Sequence, residues 1–134
     1  MIRRWLLIGR WKVRFLFAGE GYDIGEVLDA VRGCGASREF VGKARDLMEN
    51  CGLDCGFTFS NPTRKRAVVF VGPTSSGEEF IDSLVHEVHH LAVAIASELG
   101  IDLESESPAY LAGDSARALA DVVCELGCRH CRCS

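Results

Sequence analysis

The chain is short of basic charge: 15 Lys and Arg stand against 19 Asp and Glu, a net charge of −4. A general nucleic-acid binder carries a basic excess, so the balance argues against one and leaves only a local basic patch open. Long apolar runs are absent too. The first one, Trp5-Leu6-Leu7-Ile8-Gly9, lies between Arg4 and Arg10. It is shorter than the roughly 7–15 residues of a signal-peptide core and far from the roughly 20 that span a bilayer. No secretory leader, membrane partner or nucleic-acid partner is therefore expected. Internal repeats and long linkers are also missing. The cysteines number seven, which forbids complete intrachain pairing. A cytoplasmic, reducing setting with most thiols free or metal-bound is expected.

What is present suits one folded unit. The 134 residues are 48% apolar and 25% charged, ordinary for a globular domain and ample for one core. A single domain over 1–134 is expected, with a Cys-rich tail over 127–134.

In Trp11-Lys12-Val13-Arg14-Phe15-Leu16-Phe17 the odd-numbered apolar residues share one face, as in a half-buried strand. A helix opening at Tyr22 or Asp23 follows, with Ile24, Val27, Leu28 and Val31 at helical spacing, up to Gly33-Cys34-Gly35. Ser37 is the expected N-cap of a second helix striped by Phe40, Val41, Ala44, Leu47 and Met48. Two strands, 55–59 and 67–71, flank a basic turn. Ser75-Ser76-Gly77-Glu78-Glu79 places Ser three residues before Glu twice, a capping-box pattern ahead of a helix over 80–99. Gly100 stops that helix. Pro108 opens another, expected to run to about Leu126 and to end at Gly127.

Histidine is scarce, with four in the chain, yet three of them fall in His86-Glu87-Val88-His89-His90. This is H-E-x-x-H, and composition alone predicts about 0.01 such matches. Four helical residues turn about 400°, so His86 and His90 project side by side one turn apart. Two such imidazoles can bind one Zn²⁺. Glu87 points about 100° away, suited to act as general base on water held by the metal. His89 points to the other side, as a surface or substrate-facing group. A catalytic zinc site wants a third protein ligand. Glu106 is preferred, 16 residues after His90 and just ahead of the Pro108 helix. Glu104 is the runner-up, while Asp102 and Asp114 also lie downstream.

His86-Glu87-x-x-His90 followed by Glu106-Ser-Pro-Ala109-Tyr110 resembles the gluzincin type of zinc metallopeptidase. Within that type it is similar to minigluzincins and small phage- or mobile-element-encoded HExxH proteins. The resemblance covers residues 67–119. It implies a small α+β zincin-like domain, with a short β-sheet packed against the HExxH helix and helices on either side. It implies Zn²⁺ on His86, His90 and Glu106, and hydrolysis of peptide or protein substrates with Glu87 as base. Tyr110 would donate to the oxyanion or stand as a buried structural residue. Larger gluzincins often place an Asp four residues after the glutamate ligand; here that position is Tyr110, and Asp114, one turn on, would support a histidine. The strand Val68-Val69-Phe70-Val71 would be either the substrate-binding edge or an interior strand under the helix. A catalytically inactive zinc-binding module acting in binding or regulation is the alternative.

Cys124, Cys128, Cys131 and Cys133 with His130 crowd the end of the chain. They read as reduced thiols or as a second metal site, to which Cys51 and Cys55 could contribute.

Overall fold

The structure, a computed structural model, describes the backbone of residues 1–131 and side chains through Gly127. Over these described residues it is a small α+β domain: a four-stranded mixed sheet with five helices. Strands β1 (Ile2–Ile8) and β2 (Trp11–Phe17) form a tight antiparallel hairpin through Gly9-Arg10. Gly9 has φ +59°, a conformation that glycine adopts without strain. Helices α1 (Ile24–Gly33) and α2 (Arg38–Asn50) then cross one face. Strands β3 (Gly56–Asn61) and β4 (Arg66–Val71) make a second antiparallel hairpin. The two hairpins join through parallel β2 and β4, in register Lys12↔Arg66 to Phe17↔Val71. The order is β1-β2-β4-β3, so β1 and β3 are the edges. Val68–Val71 is thus interior, and β3 is the edge strand beside the long helix.

Strand alternation divides the core. Trp11, Val13, Phe15 and Phe17, with Ala67, Val69 and Val71, face α3 (Gly77–Glu98), α4 (Ser107–Ala118) and α5 (Ala120–Cys131). Leu16, Val68 and Phe70 face α1 and α2. The expected caps form: Asp23 accepts from Gly25 N, Ser37 from Phe40 N, and Ser76 from Glu79 N. Each ties down an amide that a helix start leaves unpaired.

The run around Trp5 forms a strand that the sequence pattern did not mark, β1. Three expectations are corrected. The helix expected over 108–126 is two helices, broken at Leu119 (φ −103°, ψ 14°), whose amide bonds back only three residues, to Ala116 O. The break redirects the chain so that Leu119, Val122 and Leu126 all enter the α3 core. Gly127 does not end the second helix, which continues to Cys131. Its carbonyl lies against Gly77, where an added Cβ would come within 2.6 Å of it. Third, Cys51 and Cys55 are paired as a disulfide, so these two thiols are not free ligands. Among the described residues, Cys34 is free and buried, and Cys124 free and exposed. The side chains of Cys128, His130, Cys131 and Cys133 lie outside the described residues. Among the described residues, no helix is long and apolar enough to cross a membrane.

Candidate metal centre

Helix α3 lies across the sheet with Leu84, Val88, Leu91 and Ile95 buried. That stripe fixes its rotation and leaves His86, His89 and His90 exposed. The rings of His86 and His90 converge: their Nε2 atoms are 3.1 Å apart and their centroids 4.7 Å. Two nitrogens each about 2.05 Å from a tetrahedral zinc ion would be about 3.3 Å apart. Spacing and donor chemistry therefore both fit one Zn²⁺.

Glu87 turns inward and is 5% exposed. A buried carboxylate needs hydrogen-bond donors. Thr58 on β3 supplies one, its Oγ1 donating to Glu87 Oε2 at 2.6 Å and lying 3.0 Å from the Glu87 carbonyl oxygen. Oε1 of the same carboxylate is 3.9 Å from His86 Nε2. One oxygen is anchored to the sheet and the other faces the histidine pair. Thr58 is a site residue that sequence reasoning missed. Its signal was the alternation in β3, with Gly56, Thr58 and Ser60 on one face and Phe57 and Phe59 on the other. The first face must stay small and polar to lie under a buried glutamate. At Gly56 a Cβ would collide with the Phe70 carbonyl oxygen and sit 3.5 Å from Glu87 Cγ.

These groups line an open cleft of about 420 Å³, with Gly56, Phe57, Thr58 and Ser60 as one wall and His86, Glu87 and His90 as the other. A more apolar hollow of about 370 Å³, between Gly19-Glu20 and Gly72-Pro73-Thr74, holds none of them.

The α4 residues lie elsewhere. Helix α4 packs on α3 and over β1, at the sheet edge opposite β3. Three strand spacings, about 14 Å, separate those edges. Glu106 is exposed at the start of α4, and its side chain makes no capping bond. Tyr110 is 68% exposed. Asp114 is bound to Arg117 at 2.9 Å and lines a hollow against β1. Glu104 is exposed in the loop before α4. Among the described residues, no three His, Cys, Asp or Glu side chains gather as a metal-binding group. The structure thus brings together His86, His90 and Glu87, and does not bring Glu106, Tyr110 or Asp114 to them.

No family model matches the chain, and no curated protein or solved structure matches it.

Proposed function

We propose that the chain is a zinc-dependent, zincin-type metallopeptidase that hydrolyses peptide bonds, with His86 and His90 holding Zn²⁺ and Glu87 acting as general base. One observation carries this: two imidazole nitrogens converge at 3.1 Å beside a buried, anchored glutamate, in a cleft walled by an edge strand. When bound, Zn²⁺ supplies Lewis acidity and a water acidified enough to attack at neutral pH. The chain's own residues do the rest. Glu87, held by Thr58, accepts a proton on the oxygen facing the histidines and returns it to the leaving amine. Strand β3 offers an unpaired edge along which an extended peptide could add as a further strand past the histidines. Glu106 is the third ligand in this proposal, and joining the pair requires the 99–106 segment to move. Tyr110 and Asp114 act only if α4 moves with it.

Among the described residues Tyr110, the expected oxyanion donor, is exposed on α4 and does not join the histidine pair, which favours a second reading, a zinc-binding module without peptidase activity. A peptide-library cleavage assay with zinc-loaded protein separates the two. Cleavage that Glu87→Gln abolishes while zinc content stays constant supports the peptidase. Full activity in Glu87→Gln would refute Glu87 as the base, and no cleavage of any peptide would leave the module.

A further inference from the structure

We propose that the uncovered half of the sheet face shared with α1 and α2 binds single-stranded nucleic acid. The chain's net negative charge conceals a strong segregation. Residues 2–17 and 56–71, the four strands with their hairpin turns, contain eight basic and no acidic residues. The other seven basic and all nineteen acidic residues lie elsewhere. Helices α1 and α2 cover this face around Leu16, Val68 and Phe70 and stop there. Beyond them the register sets Leu7 beside Lys12 beside Arg66, and Trp5 beside Arg14.

Trp5 is 50% and Leu7 78% exposed. Lys12 Nζ lies 4.8 Å and Arg14 Cζ 5.3 Å from the Trp5 ring centre. Among the described residues the buried Nε of Arg14 has no hydrogen-bond partner, and the Glu26 contact of Arg14 is long, at 4.0 Å. Arg14, Arg64 and Arg66 lie close enough to Cys34 to counter part of the rise that burial imposes on its thiol.

Basic side chains alone would serve to guard an edge strand against aggregation. Guarding does not explain an exposed Trp and Leu on the same strand. A flat face pairing an aromatic ring with Lys12, Arg64 and Arg66, which make no ion pair among the described residues, suits the stacked bases and phosphates of a single strand. Cations held against the ring and in register along the sheet favour a polymer lying on the face over insertion into lipid.

The test is fluorescence anisotropy of the full chain with labelled 12-nucleotide DNA and RNA of mixed sequence. Neutralising about three phosphates at Lys12, Arg64 and Arg66 predicts about a 20-fold affinity loss between 50 and 200 mM salt. Lys12→Glu with Arg66→Glu should weaken binding at least tenfold, and Trp5→Ala should remove the quenching of tryptophan fluorescence. His86→Ala should change neither, because the zinc cleft opens on the other face of the sheet, under α3. Four results would each overturn the proposal: no binding at 50 mM salt, equal binding to polyglutamate, stronger binding to phosphatidylserine vesicles than to oligonucleotides, or affinity unchanged in the double charge reversal. Circular dichroism of the variants separates lost binding from lost folding.

Discussion

Thr58→Val removes one hydroxyl and keeps the shape and strand preference of the side chain. In the structure that hydroxyl donates at 2.6 Å to a carboxylate only 5% exposed. A hydrogen bond to a charged group contributes about 1.5–3 kcal/mol, and a buried acceptor left without its donor bears the full desolvation cost. The expected loss is about 2 kcal/mol, or roughly 6–10 °C in Tm for a chain of this length. Urea and thermal unfolding at pH 7, with chelator present, read this without any contribution from bound metal. Thr58→Ser keeps the hydroxyl and should retain most of the stability. In a Glu87→Gln background the same Thr58→Val change should cost only about 1 kcal/mol, the value of a neutral hydrogen bond. A Thr58→Val protein as stable as the parent, or a Thr58→Ser protein as damaged as Thr58→Val, would refute the coupling of β3 to the glutamate.

Glu98 accepts from Lys65 and Trp11, Glu26 pairs with Arg3, and Asp121 pairs with Arg4; these donors hold all three carboxyls below their ordinary values. A depressed carboxyl contributes stability above its unfolded pKa and loses it as pH falls through the folded one. Tm should therefore drop below about pH 4, and Glu98→Gln should show a shallower drop in an acid melting series. Leu119 is fully buried at the α4–α5 break. Leu119→Ala should cost about 2–5 kcal/mol in urea unfolding; a cost under 1 kcal/mol would mean that the break does not serve packing.

Much of the fold was legible because it is local. The caps at Ser37 and Ser76 follow from side-chain chemistry within four residues, and the alternation of Trp11 to Phe17 follows from a covered face. The first strand escaped notice because Trp5 and Leu7 point to an uncovered face, so apolar residues occupy both sides and the period of two is lost. The Leu119 break has no Gly or Pro to mark it, because tertiary packing of Leu119, Val122 and Leu126 imposes it. The parallel β2–β4 pairing joins segments more than fifty residues apart, and no local rule specifies such a contact. The same division runs through the site. His86, Glu87 and His90 share one helix, and helical period alone orders them. Thr58 comes from a strand, β3, far off in sequence, and the place of Glu106 depends on how α4 packs against β1.

Zinc content per chain, measured by mass spectrometry on protein purified without chelator, tests the metal centre itself. Cys128, Cys131 and Cys133 should be changed to Ser instead of being truncated, since α5 runs to Cys131 and touches α3 at Gly77. About one zinc per chain is expected, lost in His86→Ala and in His90→Ala and reduced in Glu106→Ala. A folded chain that takes up no zinc even after reconstitution would contradict the metal centre and the peptidase proposal with it.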